Sequence, residues 1–309
     1  MFATNKSIEQ CISIEKFNKR NIKLFMKRDD LIDLEVSGNK WRKLKYNIEH
    51  VLQHKLQGVL TFGGAYSNHL LATASACQKF NLKSIAIVRG EELEKESNWV
   101  LKRCAELGML LIFVPRETYK LRNDYDYRNQ LKLTYPGMYI IPEGGANFMG
   151  MIGCQEILME CQSKYDHIFV ALGTGTTATG IASTISGDTK LNVVSALKGV
   201  DVIETLDALY RSYGFSDLDI NDWLECIVPH ENGHCGGYGK TSNELLEKIV
   251  DIQKTTSIEL DPIYTGKVWI AMEDWIEKEN ITNSTILFIH TGGLLGGKEI
   301  MNAFRASKK

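Results

Sequence analysis

A turn reading Gly173-Thr174-Gly175-Thr176-Thr177 follows the apolar run HIFVAL and opens a helix-like segment. Glycines there let the backbone approach a ligand closely, and the N–H groups of a helix start face an anion, so a phosphate fits. The helix dipole contributes only about 0.3 to 1 kcal/mol, so binding needs several N–H bonds acting with the threonine hydroxyls. An ordinary tight strand-to-helix turn accounts for the same residues equally well. No lysine follows the glycines as in a Walker loop, and the dinucleotide fingerprint with its acidic ribose partner is absent. The second candidate is Lys40, within SGNKWRKLKYN. A lysine that forms a Schiff base needs a partly desolvated, cation-rich setting that lowers its pKa, and Arg42, Lys43 and Lys45 supply such a field. A solvated cationic helix start has the same composition, which does not by itself single out Lys40. Cys226, His230, His234 and Cys235 crowd into ECIVPHENGHCG, but their spacing is not that of paired zinc ligands, so a polar loop and no metal is expected.

These residues need elements to position them. Short β-rich runs recur as GVLTF (58–62), SIAIV (84–88), MLLIFV (109–114), HIFVAL (167–172), LNVVSAL (191–197) and STILFIH (284–290). Helix-like segments lie between most of them, among them 67–79, 98–107, 177–186 and 201–213. Alternating strands and helices predict an α/β fold with mostly parallel sheets, since a parallel crossover needs a helix-sized return. Two such series are expected, with the break near the polar stretch YKLRNDYDYRNQ and the glycine-rich IIPEGGANFMGMIG. In open α/β sheets ligands sit at the carboxyl ends of strands. Three turns there are rich in glycine and hydroxyl residues: TFGGAYSNH (61–69), ALGTGTTATG (171–180) and FIHTGGLLGG (288–297). Trp269, Met272 and Trp275 form a helical core face, Tyr125 and Tyr127 read as loop or surface residues, and His290 reads as a hydrogen-bonded structural histidine.

The chain's 309 residues, 44% of them hydrophobic and 24% charged, suffice for a real core and predict two domains with a ligand cleft between them. Lysine plus arginine (36) nearly balances aspartate plus glutamate (38), which leaves no positive surplus for nucleic acid or anionic membrane. No apolar run is long enough for a signal peptide or a membrane span, and seven scattered cysteines fit reduced thiols, so a cytoplasmic location is expected. A homodimer is the expected assembly.

SGNKWRKL, GGAYSNH, GTGTTATG, DPIYTGK (261–267) and HTGG (290–293) follow one another along nearly the whole chain. In that order they resemble the pyridoxal-phosphate enzymes of fold type II, most closely the group of 1-aminocyclopropane-1-carboxylate deaminase and D-cysteine desulfhydrase. The resemblance implies a tryptophan synthase β-like fold with two parallel-sheet, three-layer domains and pyridoxal 5'-phosphate in the interdomain cleft. The large domain would take residues 1–44 and 145–309, and the smaller inserted domain residues 45–144. It further implies that Lys40 forms the Schiff base and moves the α-proton, and that Asn68 meets the cofactor's phenolic oxygen. Gly173, Thr174, Gly175, Thr176 and Thr177 would hold the phosphate, and Thr265 would sit at the pyridine nitrogen. Ser67, Asn68 and His69 would bind substrate, while Ser67, Tyr238 and Tyr264 would lie near the reacting atoms.

In this family pattern the cyclopropane deaminases carry Glu after the YxGK tyrosine, whereas this chain has Thr265; His69 and Thr291 also resemble the desulfhydrase side. A neutral threonine cannot hold the ring nitrogen protonated as a carboxylate would, which favours a substrate with a good leaving group. The expected reaction is therefore β-elimination from a small amino acid, D-cysteine first, giving pyruvate, ammonia and sulfide. The alternatives are the cyclopropane deaminase, giving 2-oxobutyrate and ammonia, a racemase, and a non-catalytic pyridoxal-phosphate binder. Three departures from the family pattern bear on specificity: Thr176 where many relatives have glycine, Trp41 in place of a smaller residue, and LLATA after SNH without an arginine.

Overall fold

Strands buried along most of their length form the centre of both sheets. The computed structural model describes residues 4–308. Its contacts divide the chain into two compact units, one of residues up to 39 together with 154 onward, the other Lys40–Gly153. From the sequence alone the divisions are expected at 44/45 and 144/145. The helices Asn39–Gln53 and Phe148–Met159 run without a break through 39/40 and 153/154, so each division between the units lies within a helix rather than at a linker.

The first unit carries β1 (Glu9–Ile12) and β2 (Lys23–Lys27) in a six-stranded sheet. Its other strands are, for numbering in chain order after the second unit's four, β7 (His167–Leu172), β8 (Lys190–Ser195), β9 (Ile227–His230) and β10 (Thr285–Ile289). The order is β1-β2-β10-β7-β8-β9, parallel throughout except where β1 pairs antiparallel with β2. Consecutive residues of β7, β8 and β10 are buried, and since successive side chains point to opposite faces, both faces of the sheet are covered. The core joins Met26, Phe169, Ile286 and Phe288 to Val268, Trp269 and Met272 of the helix Thr265–Lys278, with Trp275 packed at its margin. The helical face expected at 269, 272 and 275 is thus a core face.

The second unit holds β3 (Gly58–Gly63), β4 (Lys83–Arg89), β5 (Leu110–Val114) and β6 (Met138–Ile140), all parallel, in the order β5-β4-β3-β6. All six residues of β3 are buried, which makes it a central strand clothed on both faces. The polar stretch expected to mark a domain break is instead helical. Asp124 caps the helix Tyr125–Thr134 by accepting from Tyr127 N, while Tyr127 packs against the Leu60–Phe62 cluster and Tyr125 is exposed.

Among the described residues no helix is long and apolar enough to cross a membrane. Trp269 is fully buried and tilted against Phe288 at 5.3 Å between ring centroids. Trp269→Ala is expected to lower the unfolding free energy by about 3 to 5 kcal/mol, read by urea denaturation; a loss under about 1 kcal/mol would contradict this packing.

Candidate active site

The turn after β7 is built for close approach. Gly175 caps the helix Thr176–Ala182 in the left-handed region (φ +85°), and a Cβ there would lie 2.5 Å from the Leu209 side chain. A Cβ on Gly173 would press on Tyr264, 3.2 Å from its ring. Gly175 offers no side-chain acceptor to the helix's first N–H groups, which by helix geometry also lack intrahelical partners. Thr174 and Thr176 bring their hydroxyl oxygens within 3.4 Å of each other beside them. Thr177 Oγ1 accepts from Asn39 Nδ2 at 2.9 Å in a buried bond, and its own proton stays available to an acceptor.

That bond fixes the segment leading to Lys40. Gly38 takes φ +61°, and a Cβ on it would lie 1.9 Å from the Thr291 carbonyl oxygen. Asn39 N donates to the same oxygen at 3.3 Å, so residues 37–39 lie flat on the HTGG turn. His290 holds that turn: Nε2 donates to the Glu259 carbonyl at 2.7 Å and Nδ1 accepts from Gly292 N at 3.2 Å. Both ring nitrogens are thereby engaged with backbone, the structural role expected of it. Lys40 follows Asn39 directly and starts the second unit. Trp41, large where a smaller residue is usual, is buried and stacked on Phe80 with an interplanar angle of 10°.

Within the second unit Ser67 caps the helix Asn68–Lys79, its Oγ accepting from Leu70 N. His69 is buried and meets Thr61 Oγ1 through Nε2 at 2.8 Å. Thr61 gives its one hydroxyl proton to the Ile141 carbonyl, so it can only accept from the imidazole, and the His69 proton sits on Nε2. Nδ1 is then a bare acceptor, and it has no hydrogen-bond partner among the described residues. Burial first, and the charges of Lys40 and Lys43 second, push the His69 pKa down to about 3.

The last cluster lies at the start of the helix Thr265–Lys278. Buried Asp261 accepts from Ile263 N and Tyr264 N on Oδ1, and from Thr265 N and Thr265 Oγ1 on Oδ2, all at 2.7 to 2.8 Å. Thr265 Oγ1 also accepts from Asp261 N at 2.9 Å. Hydrogen bonds to a charged group contribute about 1.5 to 3 kcal/mol each, so Asp261 sets this turn firmly. Tyr264 contacts Tyr238 edge-on, with ring centroids 6.2 Å apart. Lys267, also buried, donates to the Gly237 carbonyl at 2.7 Å.

The first unit thus gathers Gly173, Thr174, Gly175, Thr176, Thr177, Tyr238, Tyr264 and Thr265, and the second holds Lys40, Ser67, Asn68 and His69. The cysteines and histidines of ECIVPHENGHCG have separate partners: Cys226 donates to Trp223 O, His230 meets Asn192 Oδ1, His234 accepts from Gly236 N and Cys235 donates to Gly233 O. Asn39, Thr61, Asp261 and Lys267 do positioning work that the motifs did not assign. An Asp four positions before a helix-starting threonine is a local signal that would have found Asp261.

The family model for pyridoxal-phosphate dependent enzymes matches residues 8–292. The chain belongs to that family. A bifunctional D-cysteine desulfhydrase/1-aminocyclopropane-1-carboxylate deaminase, mitochondrial, of Arabidopsis thaliana is 32% identical over 302 residues, covering 88% of this chain and 73% of the relative. A D-cysteine desulfhydrase of Yersinia pestis is 27% identical, covering 87% and 86%. The solved structure of an ACC deaminase homologue superposes with a TM-score of 0.79 at 26% identity, over 97% of this chain and 93% of that one. The protein is therefore a pyridoxal-phosphate dependent enzyme of fold type II, with relatives named for deaminase and desulfhydrase activities. Its residues fit the cofactor. The glycine-threonine turn tolerates no Cβ at Gly173 or Gly175, its helix start has no side-chain cap, and Asn39, the residue before Lys40, is bonded to it through Thr177, a donor set that suits a phosphate.

Two outcomes are expected. Gly38→Ala places a Cβ on the Thr291 carbonyl at a positive φ, and should lower the unfolding free energy by about 2 kcal/mol or more and weaken cofactor retention; unchanged stability would contradict the fit. His69 should stay neutral with its proton on Nε2 from pH 8 to pH 5 in nitrogen-detected NMR of histidine-labelled protein. Because its pKa is lowered from 6.5, its contribution to stability is present above about pH 6.5 and lost as pH falls toward 3. A His69 imidazolium signal already at pH 6 would contradict the buried acceptor.

Proposed function

We propose that the enzyme catalyses β-elimination from D-cysteine, in which water is consumed and pyruvate, ammonia and sulfide are released. Thr265 carries this reading. It is neutral where a carboxylate would hold a ring nitrogen protonated, and its hydroxyl proton already rests on Asp261 Oδ2 at 2.7 Å. To donate to a ring nitrogen the hydroxyl must leave that carboxylate, so its hold on the ring is weak. A weakly held ring stabilises a carbanion poorly, and a substrate that expels a good leaving group such as thiolate is favoured over a strained ring.

Pyridoxal phosphate supplies an aldehyde that condenses with amines and a conjugated ring that spreads the electrons left by a departing proton. In this reading Lys40 is the amine that would hold the aldehyde and the base that would take the substrate's α-proton. Gly173, Thr174, Gly175, Thr176 and Thr177 would hold the phosphate, Asn68 would donate to the phenolic oxygen, and Thr265 would meet the ring nitrogen. Ser67 and Asn68 orient the substrate carboxylate. His69, held neutral, offers Nδ1 as an acceptor to a donor on the substrate, which suits a thiol better than a hydrocarbon ring. Tyr264 and Tyr238 stand where a proton is delivered or removed near the leaving group. We place the protein in the cytoplasm as a homodimer: its seven free cysteines suit a reducing compartment, and two-fold dimers are the commonest assembly.

The test incubates the loaded protein with D-cysteine, L-cysteine, D-serine and 1-aminocyclopropane-1-carboxylate and measures the keto acid formed. Pyruvate and sulfide from D-cysteine are expected, and Lys40→Ala should cut kcat/KM by about 10²- to 10⁴-fold. Product from the cyclopropane amino acid alone would overturn the assignment, and α-hydrogen exchange without ammonia would make the enzyme a racemase.

A further inference from the structure

The loop that carries Tyr238 has little backbone regularity of its own. Cys235, Gly236, Gly237 and Gly239 all take positive φ, at 45°, 93°, 113° and 67°. Its local bonds are short-range: Gly236 N to His234 Nδ1, Gly237 N to the His234 carbonyl, and Lys240 N to the Gly237 carbonyl at 3.2 Å. Left-handed positions in series keep this segment out of any helix or strand, and its tyrosine is half-exposed.

A bond from a rigid element reaches it. Lys267 lies in the first turn of the helix Thr265–Lys278, three residues after Tyr264, and its ammonium donates to the Gly237 carbonyl at 2.7 Å, directly before Tyr238. Lys267 is only 1% exposed. Packing alone asks for an apolar chain of that length, because a buried ammonium is costly unless it is bonded; burial lowers its pKa, with Cys235 and Asp261 opposing. The same helix start therefore holds both tyrosines: Tyr264 through the Asp261 turn, and Tyr238 through Lys267 and Gly237.

We propose that Lys267 is a positioning residue that acts through the Gly237 carbonyl to hold Tyr238 against Tyr264. The proposal rests on the reading that Tyr238 serves the reaction, and it adds that a buried cation helps to fix the tyrosine's placement. Lys267→Met keeps the stem's length and packing and removes the donor.

The experiment compares Lys267→Met, Tyr238→Phe and the double variant for kcat/KM with D-cysteine, and for the rate of tryptic cleavage after Lys240 in the pyridoxal-phosphate-loaded protein. Cofactor absorbance and the urea midpoint serve as checks on folding. Lys267→Met is expected to speed cleavage at least fivefold and to lower kcat/KM about as much as Tyr238→Phe, tenfold or more. The double variant should then be no worse than the poorer single one by more than threefold. Losses that multiply in the double variant, or cleavage that does not change, would overturn the tether. If Lys267→Met is impaired while Tyr238→Phe is fully active, the reading of Tyr238 fails instead. Should Lys267→Met not fold, Lys267→Leu, which also removes the donor, must give the same kinetic pattern or the tether is wrong.

Discussion

The hydrogen bond from Asn39 Nδ2 to Thr177 Oγ1 is the constraint on which the rest of this site depends. It joins two turns 138 residues apart in the chain, one ending at the candidate Schiff-base lysine and the other shaped for phosphate. Being buried, it contributes more than an exposed bond of the same length. Gly38 makes it possible, since only a residue without a Cβ can lie on the Thr291 carbonyl at φ +61°. The HTGG turn is fixed in its place by His290, which spends both nitrogens on backbone.

A second regularity concerns charge. Asp261 uses its carboxylate on four donors inside its own turn, Lys267 spends its ammonium on a carbonyl, and Thr61 forces His69 into one neutral tautomer. Buried polar groups here hold backbone and side chains in place. Among the described residues of the site, the group left without a hydrogen-bond partner is the neutral Nδ1 of His69. Such a site orients a cofactor and leaves the electronic work to it.

The six apolar runs were legible as strands because each is an unbroken β-branched or aliphatic stretch bounded by turn residues, and all six are strands of the two sheets. The four remaining strands were not. β1 is half-exposed and polar at the sheet edge, β6 has three residues, and β9 carries Pro229, which only an edge tolerates. β2 is flanked by lysines, and Lys27 is buried because its Nζ meets the Ser7 carbonyl at 2.6 Å and Glu160 at 2.8 Å, partners no local pattern reveals. The ordered motifs sufficed to name the family and cofactor. Asn39, Thr61 and Lys267 escaped because their work is done by partners 138, 80 and 30 positions away.

The most direct measurement is reduction of the pyridoxal-phosphate-loaded protein with borohydride followed by peptide mapping. A single pyridoxyl adduct on Lys40 is the expected result, diminished in Asn39→Ala where the buried anchor is gone. An adduct on another lysine, or none on a protein that retains its fold, would contradict the assignment of this turn as the place where the cofactor is held.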